Sequence, residues 1–81
     1  MIRHEMITDQ ELYGLLRQEK ILFGGNLNLK NYGSLRCRSG KRMKRKNRVF
    51  FKDELEALAL GYRPCGHCMK QAYMDWKNGS V

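Results

Sequence analysis

Acidic residues are missing from the whole stretch between Arg36 and Lys52, which holds nine Lys and Arg. The chain also lacks an N-terminal apolar run of signal-peptide type, and nothing in it approaches the roughly 18 apolar residues that a membrane span requires. Three cysteines cannot all pair internally as disulfides. These absences lead to the expectation of a cytoplasmic protein, a monomer with no membrane partner, whose thiols bind metal or do chemistry rather than cross-link. No Ser/His/Asp arrangement, phosphate-cradling glycine loop leading into a helix, or pair of carboxylates at a plausible site is present. Turnover chemistry of those kinds is therefore not expected. No internal repeat and no long linker divides the chain.

Eighty-one residues make one domain, and a domain this small buries little core and often needs a staple. The formal charge is +8, with seven basic and eight acidic residues outside the Arg36–Lys52 block, so the whole excess sits inside it. A charge run is ordinarily a solvated face. Confinement to one acid-free segment beside a metal-type motif points instead to a polyanion partner.

Local patterns give an outline of the fold. Met1–Glu5 can begin a short strand. Thr8-Asp9-Gln10-Glu11 reads as a capping box, and Leu12, Leu15 and Leu16 supply one apolar face of a helix from about Asp9 to Gln18. Ile21-Leu22-Phe23 reads as a strand stopped by a turn at Gly24-Gly25-Asn26, followed by strand, turn and strand up to Cys37. Arg38–Asn47 has no apolar periodicity and reads as a loop, and Arg48–Phe51 as a strand. Asp53 caps a helix to about Leu60 with Leu55, Leu58 and Ala59 inward, ended by Gly61. Met69, Ala72, Tyr73 and Trp76 form a helical stripe expected to lie in the core. The fold class expected is α+β, a short antiparallel sheet with about three helices. Residues 1–20 would be a helical extension packed on a module formed by residues 21–81.

The chemistry centres on Cys65-Gly66-His67-Cys68. A Cys-x-x-Cys turn lets two sulfurs address one metal at about 2.3 Å, as zinc requires. Its redox rival, a thiol–disulfide couple, needs a larger α/β domain than this chain provides. Cys37 offers a third thiolate, closing a loop around the basic block. The fourth position of one Zn²⁺ is open to His4, to His67, or to water or a substrate.

These residues resemble the metal-binding domain at the N-terminus of Ada-type DNA alkylation-repair proteins, and still more the small Ada-like zinc modules beside nucleases. The resemblance runs from Asn26 through Trp76. It is carried by Gly25-Asn26, Tyr32-Gly33-Ser34-Leu35-Arg36-Cys37, Ser39-Gly40-Lys41-Arg42-Met43-Lys44, Asn47-Arg48-Val49-Phe50-Phe51 and Gly61-Tyr62-Arg63-Pro64-Cys65-Gly66-His67-Cys68. It implies a zinc between the sheet and the last helix, ligation by Cys37, Cys65 and Cys68, and a basic surface meeting the DNA backbone. It also implies that the position of Cys37 is that of the sulfur which, in Ada, accepts a methyl group irreversibly from a methylated phosphate. The fourth ligand does not carry over: Ada's cysteine falls at Lys41 here, and the nuclease-associated histidine at Gly33. One thiolate fewer leaves the metal complex less negative, so Cys37 would be a weaker nucleophile than in a four-thiolate site.

The function expected is a zinc-stabilised module that binds nucleic-acid backbone, most of all DNA, through Arg38, Lys41, Arg42, Lys44, Arg45, Lys46 and Arg48. No recognition helix is offered, so binding should be sequence-tolerant. The two alternatives are a DNA methylphosphotriester acceptor acting through Cys37, suicidal rather than a turnover enzyme, and a structural-zinc module with an acidic protein partner.

Overall fold

The structure, a computed structural model, describes residues 1–36 and 43–79. Among them the order of elements is β1 (Ile2–Arg3), a 3-10 turn (His4–Met6), α1 (Asp9–Arg17), β2 (Phe23–Asn26), β3 (Asn31–Ser34), a 3-10 turn (Arg45–Asn47), β4 (Arg48–Phe51), α2 (Glu54–Ala59), β5 (Arg63–Pro64) and α3 (Lys70–Lys77). The strands form one sheet in the order β1-β4-β2-β3-β5. The α+β class holds, but the sheet is mixed: β5 runs parallel to β3 with Tyr32 opposite Pro64, whereas the other pairings are antiparallel. A parallel neighbour needs a crossover, and β4 with α2 supplies it.

Strand alternation gives the sheet two different faces. Phe23, Gly25, Tyr32, Val49 and Phe51 share one face by register. There Tyr32, Val49 and Phe51 form the core cluster with Ala57 and Tyr62, and Phe23, Leu27, Leu58 and Met69 pack around it. The Tyr32 hydroxyl donates to Glu54 Oε2 at 2.8 Å, which ties α2 to β3; burial and this carboxylate push its pKa well up. The opposite face carries Gly24, Asn26, Asn31, Gly33, Arg48 and Phe50.

Helix termini follow the expected chemistry. Glu11 N–H donates to the Thr8 hydroxyl at 3.1 Å, and Thr8 N–H to Glu11 Oε1 at 3.0 Å, closing the capping box. Asp53 accepts from Glu56 N–H at 2.9 Å. The Glu56 carboxylate, however, takes Lys52 N–H at 2.8 Å rather than the cap residue. α2 ends in a Schellman turn, with Tyr62 N–H to Ala57 O and Gly61 N–H to Leu58 O, and Gly61 takes φ +84°. α1 ends the same way on Glu19 at φ 54°, a conformation that strains a residue with a Cβ by about 1 kcal/mol.

Three expectations fail for packing reasons. Gly24 and Gly25 lie inside β2 instead of ending a strand. A Cβ on Gly25 would stand 2.7 Å from the Phe51 ring and 2.8 Å from Asn31 O, so the glycine marks a close approach. The turn comes later, where Asn26 Oδ1 accepts from the N–H groups of Asn28 and Leu29. In α2 the buried residue is Ala57, while Leu55 is 77% exposed. α3 buries no residue, and Trp76 is 39% exposed. The Met69–Trp76 stripe therefore enters the core only at Met69, because α3 leaves from the sheet edge.

The N-terminal segment is fastened at the far edge. Arg45 donates to Asp9 Oδ1 and to the Ile7 carbonyl, each at 2.6 Å, and reaches the His4 carbonyl at 3.4 Å. His4 is buried against the Phe50 ring at 5.3 Å, and neither ring nitrogen has a hydrogen-bond partner. Burial, with Arg45 and Arg48 nearby, holds its pKa below the ordinary 6.5 against an opposing pull from Asp9. The unfolded chain then protonates His4 first as pH falls. The His4 contribution to stability is full above about pH 6.5 and declines below it. In thermal unfolding between pH 7 and pH 5, His4→Leu should lose less stability than the wild type; equal losses would show that His4 titrates normally.

Candidate metal centre

Cys65 and Cys68 are delivered to the sheet by β5. Cys65 N–H donates to Tyr32 O at 2.7 Å, extending the parallel ladder by one bond. Since Pro64 stands opposite Tyr32, the next position brings Cys65 beside Gly33, on the glycine-bearing face. Met69 N–H then donates to Cys65 O at 3.0 Å, which closes the knuckle and leads into α3.

Gly33 is the floor of this arrangement. A Cβ there would lie 2.6 Å from Cys68 Sγ, 3.1 Å from Cys65 Cβ and 3.9 Å from Cys65 Sγ. Both sulfurs accordingly stand above a residue that has no side chain. Each also accepts a backbone N–H: Cys68 Sγ from Ser34 at 3.3 Å and Cys65 Sγ from His67 at 3.4 Å. Such donors offset the negative charge that a sulfur carries as a metal ligand. Cys65 is buried and Cys68 exposed, so the pair is reachable from one side. A cavity of about 70 Å³ opens beside it, lined among others by Asn26, Asn31, Gly33, Arg48 and Cys65.

The remaining candidates separate. Cys37, Arg38, Lys41 and Arg42 lie outside the described residues, and among the described residues no group of three His, Cys, Asp or Glu converges. His4 follows β1, and the cysteines follow β5, at opposite edges of the sheet. Four strand spacings of about 4.8 Å separate those edges, so His4 does not meet the knuckle. His67 is exposed, and the contact it makes to sulfur is through its backbone.

The basic block also divides. Lys44 and Lys46 are exposed. Arg45, expected on the nucleic-acid surface, has its guanidinium bound to Asp9 and two carbonyls. Arg48 lies over the Phe50 ring at 5.1 Å, its buried Nε has no partner, and burial lowers its pKa. Charge alone does not reveal a fold-internal partner, so the sequence does not separate these two from their neighbours. Nor does the strand pattern mark Gly33 and Ser34 as site residues. The tight Tyr-Gly-Ser spacing ahead of Cys37 was the available signal.

Comparison with known proteins places residues 17–71 on the family model described as the metal binding domain of Ada. No curated protein and no solved structure matches the chain. The matched span contains all three cysteines and leaves β1 and nearly all of α1 outside it.

Gly33→Ala should lower metal affinity about tenfold or more, a loss typical of disturbed ligand support. The metal-free protein should change less, because an unligated Cys68 can rotate away. Competition with a chromogenic chelator reads the first effect and thermal unfolding in chelator the second. Undiminished affinity would show that the glycine is not the floor of the site.

Proposed function

The chain belongs to the family of the metal binding domain of Ada, and from that membership we propose that Cys37, Cys65 and Cys68 hold one Zn²⁺ in a module that binds nucleic-acid backbone. The observation that carries the reading is the pair of sulfurs side by side over Gly33, each supplied with a backbone N–H. That donor set fits a thiolate-rich zinc site. Bound zinc would supply the positive charge that holds the thiolates together and fastens β3 to β5. With His4 at the far edge, the fourth position falls to His67, to water or to the substrate.

Fewer cations of the basic block are available to a polyanion than its composition suggests. Exposed Lys44 and Lys46, with Arg38, Lys41 and Arg42 from the same block, are the residues assigned to phosphates. Arg45 and Arg48 are assigned to the fold. Each phosphate contact contributes a slope of about −0.9 to the log–log salt dependence of binding. Lys44→Ala and Lys46→Ala should each flatten that slope by about one contact in titrations of duplex DNA, whereas Arg45→Ala should leave it unchanged and lower the melting temperature. The zinc-loaded protein, one equivalent by metal analysis, is the material for these titrations. Binding that is absent, or insensitive to salt, would favour the alternative of an acidic protein partner.

A second reading attaches to Cys37, because the family match spans it. The Cys37 sulfur donates a lone pair to the methyl carbon of a methylated phosphotriester. A carbon–sulfur bond forms, the carbon–oxygen bond breaks, and its electrons leave on the phosphate oxygen to restore a phosphodiester. No second substrate regenerates the thiolate, so each chain reacts once. Labelled methyl from methylated DNA should appear on Cys37 up to one equivalent and vanish in Cys37→Ser. No label at any protein excess would remove this reading and leave the binding module standing.

A further inference from the structure

The sequence stripe on α3 was expected in the core, yet the helix buries none of its residues. Its aromatic residues are instead arranged as a surface stack. The Tyr73 ring lies 3.6–3.8 Å from the position a Cβ on Gly66 would take, directly on the knuckle. Trp76 stacks on Tyr73 with centroids 6.0 Å apart and planes inclined by 27°. The Arg63 guanidinium sits 5.9 Å from the Trp76 ring centroid. From the knuckle, Tyr73 and then Trp76 thus form one run of contacts, with Arg63 at the 39% exposed indole.

The charge around this row is mainly positive. From Gly61 to Gly79 the chain carries Arg63, Lys70 and Lys77 against Asp75 alone, and Asp75 accepts from the Gln71 amide at 3.0 Å. Arg63 N–H also donates to Lys30 O at 2.9 Å, which brings the exposed Lys30 alongside. A flat π-face flanked by cations suits a ligand that is itself flat and aromatic between negative charges. An unpaired nucleobase between two phosphates has that form.

We propose that Trp76, backed by Tyr73 and Arg63, is a stacking platform for an unpaired base, so that the module prefers single-stranded or locally opened nucleic acid to closed duplex. The proposal rests on the nucleic-acid reading above and adds to it the kind of strand. The backbone contacts and the platform are separate: the former carry the salt dependence, and the latter carries a preference for bases that are free to stack.

Trp76 is the only tryptophan in the chain, so its fluorescence reports this position and no other. The zinc-loaded protein is titrated with a mixed-sequence DNA single strand of about twelve nucleotides, with the same sequence as duplex, and with an abasic strand of the same length. The single strand should quench the tryptophan, and the duplex and abasic strands should quench it far less. In anisotropy titrations Trp76→Leu, which keeps an apolar helix residue, should weaken single-strand binding about tenfold and leave duplex binding unchanged. Trp76→Phe should retain most of the preference. Circular dichroism and melting temperature confirm that each variant is folded. Equal affinity of Trp76→Leu and wild type for the single strand would overturn the platform, leave the backbone reading intact, and free the face for a protein partner. No salt-sensitive binding to any of the three strands would overturn both.

Discussion

A single backbone bond, Cys65 N–H to Tyr32 O at 2.7 Å, places the chemistry of this protein. It extends the parallel pairing of β3 with β5 past Pro64 and sets Cys65 beside Gly33. The parallel direction matters, because it makes the chain leave the sheet edge as a tight knuckle rather than return as a hairpin. Everything at the site follows from that placement. Ser34 and His67 offer their N–H groups to the sulfurs, the missing Cβ of Gly33 leaves room for both, and α3 departs with only Met69 reaching the core. A two-residue edge strand is a weak anchor by itself. A metal gripping sulfur at both ends of the basic segment would turn that weak pairing into a fixed one.

The sheet divides labour between its faces. One face is apolar and closed by α2, with Val49 and Phe51 fully buried and the Schellman turn of Gly61 bringing Tyr62 back over Ala57. The other is nearly bare in the middle, where Gly24 stands opposite Gly33, and polar at one end, where Asn26, Asn31 and Arg48 lie in register. Low side-chain height along Gly24 and Gly33 is what allows a cavity next to the cysteines. At the far edge Arg45 does for the N-terminal segment what the knuckle does for the C-terminal one: its planar fork spans two carbonyls and a carboxylate. The positive block thereby holds the fold together as well as presenting charge.

That double role is what charge counting alone does not reveal. Arg45 and Arg48 carry the same formal charge as Lys44 and Lys46 but lie within reach of Asp9 and of the Phe50 ring. The converse error occurred on α3. Met69, Ala72, Tyr73 and Trp76 have helical spacing, which requires only that they share a side of the helix. It does not say whether anything lies opposite. Here Trp76 meets Tyr73 and Arg63 at the surface instead of a second layer.

Features whose physics is local or compositional were legible in the chain alone. Thr8 and Glu11 close a cap within one turn, Arg48–Phe51 is β by side-chain type, Gly61 accepts a positive φ, and Cys65-Gly66-His67-Cys68 can turn two sulfurs to one side. The same residues sufficed to place the chain in its family. Long-range packing settled the rest: Gly24 and Gly25 lie within a strand, β5 runs parallel to β3, His4 lies an entire sheet away from the cysteines, and Gly33 is the floor beneath them. Each of these depends on which strand lies next to which. Strand order is fixed by burying Tyr32, Val49, Phe51, Ala57 and Tyr62 together, a sum over distant residues that no short window of sequence contains.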